Sequence, residues 1–357
     1  MQHFIDQFID IIHVAAKNRT PLYIRGGGCK DFYGNYTNKQ EGEILNTTVY
    51  SGIVDYDPAE LVLTARAGTR LIDLETELNA RNQMLAFEPP YFGSTATLGG
   101  CIASGLAGPR RASVGAARDF VLGVRMLDGK GNDLRFGGQV MKNVAGYDIS
   151  RLMTGSMGTL GLLLEISLKV LPLPRVELTL RMEMKESDAI KEMNIWASKP
   201  LPISATCFYN NELTLRLSGA ESAVHAASKK LGGEKVIEDS VFWESIREQT
   251  HAFFQSNAPL WRLSIKSSTP PLLSSEQQLI EWGGALRWLI CNVNTTEDIL
   301  RVTAETAGGH ATLFRNNRQS SSVFHPLAPE MERIHRRLKK IFDPMGILNP
   351  GRTYQGL

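Results

Sequence analysis

The chain has 357 residues, a length that favours two domains over one. Hydrophobic residues make up 43% of it, enough for a sizeable core, and a formal net charge of +2 gives no electrostatic reason to expect a nucleic-acid partner. The four cysteines, at 29, 101, 207 and 291, are widely separated and form no CxxC or CxH spacing, so there is no zinc or iron–sulfur motif and reduced thiols in a cytoplasmic protein are expected.

Phe4, Ile5, Phe8, Ile9 and Ile12 recur at helical spacing and predict a helix over 2–17; Asp6 and Asp10 break the apolar run that a signal peptide would need. No stretch approaches the roughly 18 apolar residues of a membrane span. A short strand, Pro21 to Ile24, ends at the triplet Gly26-Gly27-Gly28. A strand over 61–65 follows, then a helix with Leu71, Leu74 and Leu78 on one face. A second glycine-rich stretch opens at Thr97-Leu98-Gly99-Gly100, and strands over 120–127 and 133–136 are joined by the turn Asp128 to Gly131. Leu164, Ile166, Leu168 and Val170 alternate with polar residues, the pattern of a half-buried strand.

Pro172 and Pro174 mark a boundary. Beyond it the periodicity predicts strands over 176–184, 260–266, 284–291 and 311–315 and helices near 187–198, 219–231 and 296–307, with a hairpin at Asn210-Asn211. This reads as a separate α+β domain of ferredoxin-like style. A basic helix over 330–340 ends before Asp343-Pro344, and no internal repeat is visible. The expected division is 1–172, 173–328 and a tail, 329–357.

Three glycine clusters, 26–28, 99–108 and 155–161, lie between strands and helices of the first half. Glycine lets the backbone approach a ligand and aim several N–H groups at one anion, and Gly99-Gly100 at a helix start would add that helix's dipole. Each cluster alone could be a plain turn. The dinucleotide fingerprint fails because Asp31 stands where its third glycine belongs, and Lys130 is followed by Gly131, which excludes the NTPase loop.

PLYIRGGG (21–28), TLGGCIASGLAG (97–108), VGAARDFVLGVRMLDGKG (114–131) and KNVAGYDISRLMTGSMGTLG (142–161) resemble, in order and spacing, the FAD domain of the vanillyl-alcohol oxidase superfamily. FDPMGILNPGR (342–352) resembles the C-terminal signature of its D-2-hydroxyacid dehydrogenases. Within the superfamily the fourth motif and the short chain look most like the smaller FAD-binding subunits of bacterial three-subunit glycolate oxidases. The resemblance implies an α+β fold: a two-subdomain FAD domain of the p-cresol methylhydroxylase (PCMH) type, followed by the ferredoxin-like cap.

It also implies a cofactor site at Arg25, Gly26, Gly27, Gly28, Cys29, Thr97, Gly99, Gly100, Ser104, Gly105, Gly146, Tyr147, Gly158, Thr159 and Gly161. The first triplet would wrap the pyrophosphate by backbone N–H. Replacing Gly27 or Gly100 with Val is expected to fill space that the cofactor needs. The FAD is expected to be non-covalent: the loop has no histidine for a flavin link, and Cys29 stands as a hydroxyl substitute. The implied partners are a larger FAD subunit, an iron–sulfur subunit that takes electrons onward, and glycolate as the small 2-hydroxy acid. Any membrane association is expected to be peripheral, at the inner face, through the complex.

A further departure stands against the resemblance. The superfamily's dehydrogenases carry a metal-binding histidine cluster in the cap, whereas here His310 has no second histidine at ligand spacing and His325 and His335 read as isolated. No metal site is expected, and catalytic residues are unassigned. Arg110, Arg111, Arg118 and Arg125 are candidate anion binders, with solvated or phosphate-facing charge the plainer reading. The readings that stay open are a self-sufficient FAD-dependent D-2-hydroxyacid dehydrogenase and a non-catalytic subunit that FAD merely stabilises.

Overall fold

A computed structural model describes residues 1–35, 42–138, 148–273, 276–291, 295–316 and 322–357. The first helix, Gln2–Asn18, turns Ile5, Phe8, Ile12 and Ala15 inward and stops at Arg19, which takes the left-handed conformation. These side chains pack on Leu22, Leu45, Leu127, Leu162 and Leu348. Strand Leu22–Arg25 pairs in parallel with Glu43–Asn46, a partner that the periodicity did not reveal.

A five-stranded antiparallel sheet follows, in the order Ile53–Asp57, Val62–Arg66, Leu162–Lys169, Val121–Leu127, Asp133–Gly137. The strand expected at 61 begins at Val62 because Leu61 is in the left-handed region. Helix Leu71–Asn79 buries Leu71, Leu74 and Leu78, the three leucines that the spacing placed on one face. Between the parallel pair and this sheet lies the short helix Leu98–Ser104, so the cofactor motifs fall at the seam of two small subdomains.

The cap is one eight-stranded antiparallel sheet. Its first half contains Val176–Glu183, Ile203–Tyr209, Glu212–Gly219 and Glu234–Lys235, with helices Glu186–Ala197 and Glu221–Leu231. Numbered along the chain, these strands lie in the spatial order 4-1-3-2. The second half, Leu260–Ser264, Gln277–Glu281, Leu286–Ile290 and His310–Arg315, has the same order, and the halves join through Ile203–Tyr209 and Gln277–Glu281. The cap is therefore a doubled ferredoxin-like unit, a structural repeat without a sequence repeat. Asn210 and Asn211 turn the hairpin with both φ positive, as a two-residue loop demands.

The tail helix, Pro329–Phe342, returns to the first half, and Leu348 bridges to Leu22. Its basic stretch is not wholly a wet face. Lys339 is buried, 2.8 Å from Asp343, and donates to the carbonyls of Thr159 and Leu348, so tertiary acceptors replace water. We propose the division 1–172, 173–328 and 329–357 on these connections.

A buried charge network ties cap to FAD domain. Glu88 accepts from Arg110 Nε at 3.3 Å and from the cap's Arg216 at 2.7 Å, while Arg110 also reaches the cap's Glu177 at 2.6 Å. Burial alone would raise the Glu177 carboxyl, but Arg110 and Arg216 hold it below the ordinary range. In the other direction the cap's Glu248 accepts from the N–H groups of Tyr91 and Phe92. Arg110 thus departs from the solvated or phosphate-facing reading: its side chain is 5% exposed and serves carboxylates. Arg125, likewise, is taken up by Asp133 and Glu165. Arg110→Ala leaves Glu88 and Glu177 short of a cation, and a loss of about 3–5 kcal/mol is expected in chemical denaturation. A change under about 1 kcal/mol would show that the network does not hold the cap.

Candidate FAD site

The triplet after strand Leu22–Arg25 runs against the segment Thr95 to Thr97. A Cβ on Gly27 would lie 1.6 Å from the Thr95 carbonyl oxygen, and one on Gly26 2.3 Å from Thr97 Oγ1. Only glycine permits this approach, and Gly28 also has φ +74°. The N–H groups of Gly26, Gly27 and Gly28 meet no backbone acceptor among the described residues. They are the donors available to an anion.

Gly99 and Gly100 behave differently from the expectation. Gly99 N–H donates to the Ala67 carbonyl at 2.7 Å, and Gly100 N–H to the capping hydroxyl of Thr97 at 3.3 Å. Both donors are used inside the protein, and the helix has only seven residues, so the expected dipole contribution falls away. The role left to Gly100 is space: the nearest atom to a Cβ there is Thr97 Oγ1 at 3.3 Å, and the rest is open. Gly27 is the reverse case, since its missing side chain would strike backbone and not cofactor space.

Arg25, Gly26, Gly27, Gly28, Cys29, Thr97, Gly100 and Ser104 line one cleft of about 110 Å³. Gly99, Gly158 and Gly161 line an adjoining cavity of about 60 Å³, which shares Gly26 and Gly100. Gly105 lines neither; at φ 64° it ends the helix, and a Cβ on it would press on Gly155. Thr159 faces a separate cavity of about 370 Å³, its hydroxyl donating to the Ser156 carbonyl. Gly146 and Tyr147 lie outside the described residues. Cys29 Sγ sits 3.1 Å from Thr95 Oγ1, as a serine hydroxyl would.

Three residues of the cleft escaped the sequence reading. Lys30 donates to the Tyr91 carbonyl, and burial lowers its ammonium pKa although the neighbouring Cys101, Cys29 and Glu248 act the other way. Like Arg25 on the other side of the triplet, it is a cation close by in sequence, and that proximity was the available signal. Asn349 accepts from Ile24 N–H at 2.8 Å and donates to the Met157 carbonyl at 2.6 Å, tying tail, first strand and third glycine cluster together. Arg352 donates to the carbonyls of Lys30, Asp31, Tyr33 and Asn35 and so clamps the loop beyond the triplet. Both belong to the quoted C-terminal motif.

On the cap side the histidines are less isolated than their spacing suggested. The rings of His310 and His325 lie 6.5 Å apart, and His325 Nε2 is 3.1 Å from Glu305. No group of three or more His, Cys, Asp or Glu suited to a metal occurs among the described residues. His335 is half-buried against Tyr354 and not a free surface residue. Arg118 is exposed at the mouth of the 370 Å³ cavity.

Unspent N–H donors at the triplet, the half-buried ammonium of Lys30 and the open space at Gly100 fit a ligand that carries a pyrophosphate on an extended body. The fold and cleft define a PCMH-type flavoprotein, and the comparisons agree. The FAD binding domain family matches residues 3–137. Glycolate oxidase subunit GlcE of Escherichia coli (strain K12) is 48% identical over 98% of this chain and 97% of its own. Glycolate oxidase subunit GlcD of Bacillus subtilis (strain 168) is 30% identical over 59% of this chain and 44% of its own. The p-cresol methylhydroxylase structure superposes at TM-score 0.69 over 98% of this chain and 87% of its own, at 16% identity, a likeness of fold. The chain belongs to the glycolate oxidase GlcE subunit family and binds FAD.

Gly100→Val is expected to fold with native secondary structure and lose most of its FAD. Gly27→Val is expected to lose stability as well, because it displaces the Thr95 backbone. Flavin content and thermal melting separate the two. Full FAD occupancy in Gly100→Val would remove that residue from the cradle.

Proposed function

We propose that this chain is the smaller FAD-binding subunit of a multi-subunit complex that oxidises glycolate to glyoxylate and passes the electrons to an iron–sulfur subunit. The observation that carries the reading is the 48% identity to GlcE along almost the whole of both chains. The GlcD similarity supports a larger related FAD subunit, since this chain spans less than half of that relative. The dispersed cysteines supply no cluster motif of their own, which suits an iron–sulfur partner. Among the described residues no helix is long and apolar enough to cross a membrane.

FAD, when bound, supplies the two-electron acceptor. The chain's contribution would be to hold it: the triplet's N–H groups and Lys30 would meet the phosphates, Gly100 and Ser104 would leave room for the body, and the tail clamps the loop through Asn349 and Arg352. Oxidation of an α-hydroxy acid also needs a base for the hydroxyl proton and a cation for the carboxylate. We assign proton removal to the larger subunit.

Glycolate-dependent dye reduction is therefore expected from the reconstituted complex and not from this chain alone. Turnover by the lone chain at the rate of the complex would establish the self-sufficient dehydrogenase instead. Acid precipitation should release all of the flavin into the supernatant, because the described cleft offers no histidine for a covalent link; yellow colour left in the pellet would refute non-covalent binding.

A further inference from the structure

Beyond the flavin cleft, the junction of cap and FAD domain holds two arginines, the candidate anion binder Arg111 and the cap's Arg262, to which the proposed function gives no role. The turn after strand Gln277–Glu281 places Trp282, Gly283 and Gly284 in succession at φ 54°, 65° and 102°. A tryptophan in the left-handed region is costly and persists only where its surroundings hold it. Here the turn carries the indole across the domain boundary, where Nε1 donates to the buried Gly108 carbonyl at 3.1 Å. Gly108 lies four residues past Ser104 of the flavin cleft.

The indole organises two guanidinium groups. Arg111, from the FAD domain, lies 4.3 Å from the Trp282 ring centre, and Arg262, from the cap, 5.3 Å. Arg262 is also 5.9 Å from the Trp288 ring and lies close enough to the buried Tyr33 hydroxyl to oppose the rise that burial gives its pKa. No carboxylate among the described residues lies within ion-pair distance of either arginine, although most buried or half-buried arginines of this protein have one. His310 completes the group. Strand register sets it on the same sheet face as Arg262, and although His310 is exposed, desolvation, then Arg262, His325 and Arg111, lower its imidazole pKa. The nearby acids are Asp119, toward Arg111, and Glu281, whose Oε1 accepts from Trp288 Nε1 at 2.7 Å. Burial pushes the Glu281 carboxyl up to about 7, although Trp288 and Arg262 act the other way, so at neutral pH it is only partly ionised.

Two half-buried guanidiniums held on one indole, with no ion pair among the described residues, suit a planar anion. The adjoining cavity, lined by Leu106, Gly108, Arg262, Glu281, Trp282 and Trp288 but not by Arg111, is about 20 Å³, room for about one water, so it takes in no more than one end of a small ligand. We infer that Arg111 and Arg262, mounted on Trp282, form a binding site of this chain for a small carboxylate of the 2-hydroxy or 2-oxo acid class. The inference rests on the oxidase reading for the class of acid, but it concerns binding to this chain and not turnover.

The test is equilibrium binding to the FAD-loaded chain without partners, so that the pyrophosphate already fills its own cleft. Glyoxylate and oxalate are titrated by calorimetry and by tryptophan fluorescence, which Trp282 and Trp288 should report. Saturable binding is expected, weakened about tenfold or more in Arg262→Gln and in Arg111→Gln and unchanged in Arg333→Gln on the exposed tail helix. Should Arg262→Gln lose its flavin, Arg262→Lys decides, because it keeps the charge and gives up the fork; it should bind several-fold more weakly. No saturable binding below about 10 mM would overturn the site. So would equal affinity in the arginine variants, or an equal loss in Arg333→Gln. Failure here leaves the oxidase reading standing, and turnover by the lone chain would overturn that reading while leaving this site in place.

Discussion

Glu88 accepts from one arginine of its own domain and one of the cap, and on that shared carboxylate much else depends. Its backbone is held at φ 49°, so the loop from Leu85 to Pro90 is bent to present it. A buried ion pair is weak evidence for net stability, but it is demanding about geometry: remove one partner and a charge is stranded. Arg110, Arg216 and Glu177 thus fix where the cap sheet sits, with Glu248 fixing the loop at Tyr91 and Phe92 from the other side. That loop leads directly into the segment that the glycine triplet touches.

The cofactor cleft follows from close approach. Because Gly26 and Gly27 lie against Thr95 and Thr97, the strand and the short helix can meet, and the triplet's N–H groups turn outward. The neighbouring glycines have other duties: Gly99 packs on Ala67, Gly161 under Met126, and Gly100 leaves space open. A glycine-rich motif is therefore not one device. In this chain it combines anion donors, packing points and absent volume.

The tail and the Trp282 turn extend the same design. Asn349 and Arg352 saturate backbone groups of the first strand, the loop beyond the triplet and the third cluster, so residues more than 300 positions apart close one side of the cleft. Trp282 does the equivalent between domains, with a strained backbone offset by an indole that hydrogen-bonds across the boundary. The two arginines on its ring come from different domains, so the ring brings side chains of both to one place.

Local signals in the sequence were sufficient for much of this. The face of Leu71, Leu74 and Leu78, the Asn210-Asn211 turn, the ferredoxin-like texture and the glycine clusters depend on neighbours a few residues away, and the ordered motifs around those clusters pointed to FAD. Tertiary structure alone decided which N–H groups remain unspent: Gly99 and Gly100 give theirs to Ala67 and Thr97, whereas the triplet keeps its own. It also decided that Arg110 is an interdomain tie, that Lys339 is buried, and that His310 meets His325. The doubled cap and the strand Gln277–Glu281 were invisible for the same reason. Periodicity records which face of an element is apolar, but a hydrogen bond or ion pair depends on which distant group arrives opposite, and only the packed chain determines that.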